Sequence, residues 1–307
     1  MRVTELMLGS LLTTDIQNTQ AQLLQAQEEL ATGNRINEPS DDPAGTERVL
    51  TLRATLDANA QYQKNASDAL TWMQTTQSAL GSAIQLATQA RNLALQAQSG
   101  LNASQVQDLA SQMQAVLAQL VDIGNTRLGD RYVFNGQETA TAPFSLSGGV
   151  VSTHYGPVPN QPLVREIGPG VTVTINPGTD QPASNVFQWS SGTATGGLLP
   201  AVAQLAADLQ AGNLAAVGGA DLTALDAATS AVEAAQGEVG AAMQRVQAAQ
   251  AQLTAQATAL QGLEGSIQGA DVAQVIVQYQ ELQNAFQSAL SVGAHLILPT
   301  LADYLPA

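Results

Sequence analysis

The chain has 307 residues, of which only 11% are charged, and it carries a formal net charge of -15 at pH 7. Such an excess of carboxylates repels phosphate backbones and anionic lipid, so the composition argues against nucleic-acid binding and membrane-surface roles. The absence of cysteine excludes disulfides, thiolate nucleophiles and zinc-thiolate sites.

The first predicted helix runs from about Glu5 to Thr32. Its apolar residues Leu12, Ile16, Leu23 and Leu30 recur at steps of four and seven, which is typical of a coiled coil. The apolar stretch LMLGSLL follows Glu5 and precedes a glutamine-rich helical pattern without a clear small-residue cleavage site, so no cleaved signal peptide is expected. No uncharged apolar stretch approaches the roughly 18 to 20 residues that a membrane-spanning helix needs, so no membrane insertion is expected.

The stretch NRINEPSDDPAG, residues 34–45, separates the first helix from the second. Ser40, Asp41 and Asp42 are predicted to be helix-capping residues, because side-chain oxygens at a helix start accept from its free amides and carboxylates suit the positive end of the helix dipole. A metal or acid-base role for the two aspartates is the alternative. It lacks a nearby histidine and any third acid beyond Glu38, so capping is favoured.

Two further helical stripes precede the first cluster of prolines. The helix after Ser40 carries Leu70, Met73, Leu80, Ile84 and Ala87 on one stripe, and the next helix carries Val106, Leu109, Met113, Val116, Leu120 and Ile123. Asn102 suits the N-cap of the helix that carries Val106, and Gln105 suits the third position of that helix. Both stripes are interpreted as the core of a helical bundle.

The segment between Pro143 and Pro200 has a different composition. The short β-branched or aromatic runs VVSTHY, PLVREI, GVTVTI and NVFQW are bounded by glycine, proline and asparagine. This pattern predicts strands joined by tight turns, and hence a small antiparallel β domain at residues 144–199.

The C-terminal arm returns to helical periodicity. The row Leu225, Ala228, Val232, Ala235, Val239, Ala242, Val246, Ala249 and Leu253 predicts a long bundle helix. Gly262, Gly265 and Gly269 predict a break after it. A final heptad stripe then includes Val272, Val275, Tyr279, Leu282, Phe286 and Leu296.

The predicted fold is mainly α, a long coiled-coil-like helical bundle formed by the N- and C-terminal arms with a small inserted antiparallel β domain. The expected domains are a terminal helical coiled coil at residues 1–39 and 266–307, a central bundle at 40–143 and 200–265, and the β domain at 144–199.

The two end helices are predicted to pair with each other, since linkers separate both from the bundle. Two helices alone bury little apolar area, so the rest of their apolar surface is expected to bind other chains. The predicted self-assembly interface comprises Leu12, Ile16, Leu23, Leu30, Val272, Val275, Tyr279, Leu282, Phe286 and Leu296.

Catalytic motifs do not emerge from the sequence. His154 and His295 are isolated, and no H-E-x-x-H zinc pattern, G-x-S-x-G elbow or phosphate-binding loop occurs. The sequence therefore predicts a protein that is not an enzyme, with no catalytic residues, cofactor or metal ligands.

Several segments together resemble the bacterial flagellin family. They are MRVTELM, ATGNRINEPSDDPAG, GDRYVFNGQETATAPF, REIGPGVTVTINPG and QNAFQSALSVGAHLILPTLADYL. The combination is specific, although each piece alone is modest. PSDDPAG with YVFNG is closer to the subunits of the hook-filament junction than to flagellin itself, and the alanine- and glutamine-rich arms with Lys64 as the sole lysine depart from the family pattern.

The resemblance implies an extracellular structural subunit of the flagellum that forms a homo-oligomeric ring between the first hook-associated protein and the flagellin filament. It also implies export by the flagellar type III apparatus, an export chaperone at the C-terminal helix, and no catalytic residues. Two alternatives stay open. One is a short or minor flagellin that forms the filament itself, and the other is a glycan-binding or hydrolytic β domain carried on helical arms.

Overall fold

A computed structural model describes residues 5–153, 162–176, 187 and 197–297. The helices are α1 (Glu5–Thr32), α2 (Pro43–Ala97), α3 (Ala103–Gly124), α4 (Leu198–Ala211), the short α5 (Leu214–Ala216), α6 (Leu222–Gln268) and α7 (Val272–Ile297), with a π-helical turn at Val217–Asp221. The strands are β1 (Arg127–Leu128), β2 (Arg131–Tyr132), β3 (Phe144–Ser147), β4 (Val150–Thr153), β5 (Val164–Gly168) and β6 (Val171–Thr174). This confirms a mainly α fold of long helices with small antiparallel sheets.

The chain divides into two compact units, called here the end unit and the central unit. The end unit is Met1–Ala58 with Gln256–Ala307, and the central unit is Asn59–Ala255. Helices α2 and α6 contribute residues to both units. The three domains expected from the sequence stay a prediction, because compactness does not show which segments fold independently.

In the end unit, α1 packs against α7, which confirms that the two end helices pair. The linkers that follow α1 and precede α7 also pair. Asn34 and Gly269 form an antiparallel β-bridge, the Arg35 amide donates to the Gln268 carbonyl at 2.7 Å, and the Ala270 amide donates to the Gly33 carbonyl at 2.9 Å. These linkers are therefore hydrogen-bonded to each other.

One expectation about this end of the chain is wrong. Gly262 and Gly265 do not break the long helix, since α6 continues through both glycines to Gln268. Packing and hydrogen bonding within a 47-residue helix outweigh the roughly 1 kcal/mol that each glycine costs relative to alanine. The break lies instead at Gly269 and Ala270, before α7 begins.

The central unit is a helical bundle in which α2 and α6 run antiparallel. Asn59 Nδ2 donates to the Leu253 carbonyl at 3.1 Å near one end, and Arg91 Nε lies 2.9 Å from Asp226 Oδ1 near the other. The predicted row of α6 faces the core, because these residues are buried: Leu225, Ala228, Val232, Ala235, Val239, Ala242, Val246 and Leu253. Helices α3 and α4 also pack against each other.

The described strands form three separate two-stranded antiparallel sheets rather than one sheet. The hairpin β1–β2 lies before the predicted β segment, and β3–β4 and β5–β6 lie within it. His154 and most of NVFQW lie outside the described residues. The hairpins contribute Phe144, Val151, Ile167 and Val173 to the same hydrophobic cluster as the bundle helices. The insert is thus packed as part of the central core.

Candidate assembly surface

The predicted assembly residues lie mostly along the contact between α1 and α7. On α1, Leu12, Ile16, Leu23 and Leu30 are half-buried, and on α7 Val275 is buried while Tyr279, Leu282 and Phe286 are half-buried. Val272 is exposed, and the side chain of Leu296 lies outside the described part of the chain. Most of these residues are therefore partly covered by the other end helix of the same chain.

Gly293 lets the two helices approach closely. A Cβ atom at this position would lie 3.2 Å from Leu12 Cδ2 and 3.9 Å from Ile16 Cδ1. The first distance is tighter than ordinary van der Waals contact, so a larger residue would push α1 away. The glycine explains why the heptad stripe of α7 accommodates the leucine side chain of α1.

A second set of apolar residues on the same helices is exposed. We call this set the outer apolar surface; its members lie on more than one side of each helix, and they are Met7, Leu11 and Leu24 on α1 with Val272, Ile276, Val277, Leu290 and Val292 on α7. Leu11 is 56% exposed and Val277 is 55% exposed. The heptad pattern selected mainly residues that face the partner helix, and of the outer apolar surface it included only Val272. The sequence feature that could have indicated the outer apolar surface is that α7 holds more apolar residues than one stripe contains. Such an excess is typical of a helix covered on more than one side.

The outer apolar surface contains little charge on the α7 side. The sequence of α7 holds one acidic residue, Glu281, and neither lysine nor arginine. Contact between the α7 sides of two such surfaces therefore involves little charge repulsion, despite the net charge of -15 on the chain. The arrangement can bury apolar area against another apolar helix, at about 25 cal/mol per Å² removed from water.

The predicted capping residues divide into two groups. Asp42 Oδ1 accepts from the Gly45 amide at 2.9 Å, which places Asp42 at the start of α2. Asp41 Oδ2 accepts instead from the Asn37 and Glu38 amides at 3.0 and 2.9 Å, and Ser40 Oγ lies 3.1 Å from a Glu38 carboxylate oxygen. Asp41 and Ser40 therefore stabilise the turn before the helix rather than its first amides.

Hydrogen bonds lower the pKa of both aspartates. The Glu38 and Asn37 amides hold the pKa of Asp41 below its ordinary value, and the Gly45 amide together with Arg35 does so for Asp42. Arg35 Nη2 lies 3.1 Å from Asp42 Oδ2 and donates to the Ile267 carbonyl at 3.1 Å. A carboxyl group whose pKa is lowered in the folded state stabilises the fold when the pH is above its ordinary pKa. This contribution is lost as the pH falls through the lowered pKa.

Replacing Gly45 with alanine is expected to destabilise this turn. The new Cβ would lie 2.6 Å from both Ile36 Cδ1 and Asp42 Oδ2, and Ile36 is buried. We expect a loss of about 1–3 kcal/mol in the free energy of unfolding, as for other overpacked sites. Urea unfolding followed by circular dichroism measures it.

The matched control is Gly262→Ala, because a Cβ at Gly262 meets nothing within 4 Å. Alanine there is expected to raise stability by up to about 1 kcal/mol through helix propensity alone. Equal effects of the two substitutions would contradict the packing argument for Gly45.

Asn102 lies at the start of α3. Its side chain accepts from the Gln105 amide at 2.9 Å, and Gln105 Oε1 accepts from the Asn102 amide at 3.1 Å, so the two residues form a reciprocal capping box. Across the described ranges, no three histidine or acidic side chains are grouped as metal ligands. Within those same ranges, no helix is long and apolar enough to cross a membrane.

The first and last described helices, α1 and α7, pack together, and a helical bundle lies between them in the sequence. This arrangement defines a class of helical proteins. Comparison with protein families specifies that class. The bacterial flagellin N-terminal helical region matches residues 3–139, and the bacterial flagellin C-terminal helical region matches residues 222–297. Together these matches cover more than half of the chain, which belongs to the flagellin family.

Two curated relatives are similar to parts of this chain. Flagellar hook-associated protein 3 of Escherichia coli (strain K12) is 32% identical over 136 residues, which are 44% of this chain and 43% of that protein. Flagellin of Serratia marcescens is 30% identical over 133 residues, which are 43% of this chain and 37% of that protein. The matches thus span less than half the length of these relatives.

A solved structure extends the likeness in fold. The flagellar junction protein FlgL from Legionella pneumophila superimposes with a TM-score of 0.55 at 14% sequence identity, covering 74% of this chain and 100% of that chain. At this identity the likeness shows the fold.

Proposed function

We propose that this chain is a structural subunit of the bacterial flagellum that forms the junction between hook and filament. The observation that carries the proposal is the outer apolar surface on the paired end helices. Apolar side chains left exposed along two paired helices are expected to be covered by other chains, as large exposed apolar patches are. The similarity to hook-associated protein 3 supports the junction as the place of that association.

The proposed assembly is a homo-oligomeric ring, with the first hook-associated protein on one side and flagellin on the other. Copies would bury the outer apolar surface of α1 and α7 against neighbouring copies. The near-absence of charge on α7 supports contact between like surfaces. The α1–α7 contact would be retained within each copy, since Gly293 and Leu12 fit closely.

The proposed route to this location is export through the flagellar type III apparatus, which delivers the chain outside the cell. An export chaperone would bind the C-terminal helix before assembly. The exposed residues Ile276, Val277 and Leu290 support this role, because they would otherwise promote premature association. We also propose that the chain has no enzymatic activity, as expected of a structural subunit of the flagellum.

The second candidate function is that of a short or minor flagellin. The similarity to flagellin of Serratia marcescens favours it, since the identity is close to that with hook-associated protein 3. The two functions differ in what the purified chain does alone. A flagellin would polymerise into filaments at high concentration, whereas a junction subunit would stop at a closed assembly or remain monomeric.

Complementation tests the junction function. In a strain without its own hook-associated protein 3 the proposed junction is missing, so electron microscopy is expected to show bare hooks. Expression of this chain is expected to restore attached filaments. A strain lacking flagellin but retaining hook-associated protein 3 provides the control. Filaments in the second strain, and bare hooks in the first, would support flagellin and contradict the junction proposal.

A further inference from the structure

The corner that joins α4 to α6 contains an unusual stretch of backbone. Gly212 ends α4 with φ of 71°, in the left-handed region, and Asn213 precedes the short α5. The residues Val217–Asp221 then form a π-helical turn that leads directly into α6. Such turns are rare and frequently occur at functional sites.

Two glutamines fix this corner to neighbouring helices of the central unit. Gln98 Nε2, after the end of α2, donates to the Leu214 carbonyl at 2.7 Å, and Gln107 Nε2 of α3 donates to the Gln210 carbonyl at 3.0 Å. A Cβ atom at Gly218 would lie 2.8 Å from the Gln98 side chain. The corner is therefore closely packed, and small changes in its side chains have little room to relax.

Two carboxyl groups interact at this corner, where α4 packs against the π-helical turn. The α4 residue Asp208 accepts through Oδ2 from Gln204 Nε2 at 2.6 Å and through Oδ1 from Asn213 Nδ2 at 3.0 Å. Asp221 ends the π-helical turn and is only 6% exposed. Within the described residues, no donor reaches its buried Oδ2 atom.

Protonation of Asp221 removes the cost of burying its carboxylate beside Asp208. A buried carboxylate oxygen without a donor is costly, and a second carboxylate beside it adds repulsion. A protonated Asp221 instead donates to Asp208, so one proton satisfies both groups. Two carboxyl groups at close range favour sharing one proton, because two carboxylates there would repel each other.

The charges on the surrounding helices do not replace that proton. Asp208 is the only charged residue of α4, and α5 and the π-helical turn add none apart from Asp221. On the nearby turns of α3 and α6, Asp108 and Asp226 are exposed. Arg91 of α2 is already paired with Asp226.

The pKa values agree with this geometry. Burial, followed by the charge of Asp208, raises the pKa of Asp221 from its ordinary value of 3.8 to about 6. Donation from Gln204 and Asn213 lowers the pKa of Asp208. The pair therefore retains one proton in mildly acidic solution, where a free aspartate is ionised.

We propose that Asp208 and Asp221 form a pH-sensitive latch that keeps the α4–α6 corner closed while they share a proton and loosens it when the proton is lost. The closed corner binds the proton more tightly than the open corner. The stability that the shared proton adds to the closed corner is therefore full below pH 3.8, falls as the pH rises to about 6, and changes no further above that.

Hydrogen exchange measured by mass spectrometry on the full chain tests the latch. Peptides that cover residues 208–222 are expected to lose about tenfold in protection between pH 5 and pH 7.5, after correction for the intrinsic exchange rate. Asp221→Asn keeps a donor towards Asp208 and carries no charge, so its protection is expected to change less than twofold. Asp108→Asn removes an exposed carboxylate from α3 and is expected to behave like the unaltered chain.

Three results would overturn the latch. The first is equal protection of the unaltered chain at both pH values. The second is an unchanged tenfold loss in Asp221→Asn. The third is full recovery of protection at pH 7.5 on addition of millimolar Ca²⁺ or Mg²⁺, which would assign the pair to a cation. If Asp221→Asn does not fold, Asp208→Asn supplies the comparison, since it removes the opposing charge and is expected to weaken the pH dependence.

Discussion

Replacing Phe144 with alanine is expected to lower the free energy of unfolding of the central unit by about 3–5 kcal/mol, the range for truncating a buried phenylalanine. Phe144 is only 2% exposed and begins strand β3. Its ring contacts Gly124 at the end of α3, where an added Cβ would lie 2.7 Å from Phe144 Cδ2. Its centroid also lies 6.0 Å from that of Phe187. Truncation would leave a cavity that a close-packed glycine cannot fill.

Urea unfolding followed by circular dichroism at 222 nm measures this loss. Val150→Ala is the matched control, because Val150 belongs to the same β3–β4 hairpin but is 59% exposed. The control is expected to change stability by no more than about 0.5 kcal/mol. Similar values for both variants would show that the hairpin is an appendage that contributes little to the helical core.

Replacing Ile276 with aspartate is expected to abolish filament attachment while leaving the chain folded and exported. Ile276 is 44% exposed on α7, so an aspartate there is solvated in the isolated chain. In the proposed ring the same carboxylate would be buried against an apolar neighbour. An uncompensated buried charge costs several kcal/mol, enough to prevent association. Motility assays and electron microscopy of complemented cells measure the outcome.

The matched control is Gln261→Asp, which adds the same charge at an exposed position of α6 in the same unit. It is expected to leave attachment intact. Normal attachment with Ile276→Asp would remove the outer apolar surface from the proposed assembly. Leu282→Asp is a less informative variant, because Leu282 is half-buried where α7 faces α1 and the charge would disrupt that pair within a single chain.

The helical core was predictable because its signal is periodic. The row from Leu225 to Leu253 in α6, apart from the half-buried Ala249, and the stripe from Val106 to Leu120 in α3 are buried as expected. Both depend on one repeated requirement, namely that residues three and four positions apart face the same side of a helix. The pairing of the end helices followed from the apolar stripe that each carries and from the linkers that separate both from the bundle.

Other features were not predictable because they depend on contacts between distant segments. The outer apolar surface is defined by which residues α1 and α7 leave uncovered on each other, and heptad spacing does not specify that. Gly262 and Gly265 indicated a break by local propensity, but the hydrogen-bonded helix α6 continues through both. The closeness of Asp208 and Asp221 depends on a π-helical turn, for which the sequence holds no recognisable pattern.

The β-bridge between Asn34 and Gly269 also bears on how the length of such a chain can vary. The polypeptide leaves the end helices at Gly33 and returns to them at Ala270, and backbone hydrogen bonds hold these two points together. Hairpins lengthened, shortened or exchanged between them would leave the departure and return points where they are. Segments of different size can therefore be grafted onto one pair of end helices without altering the surface that the pair presents to its neighbours.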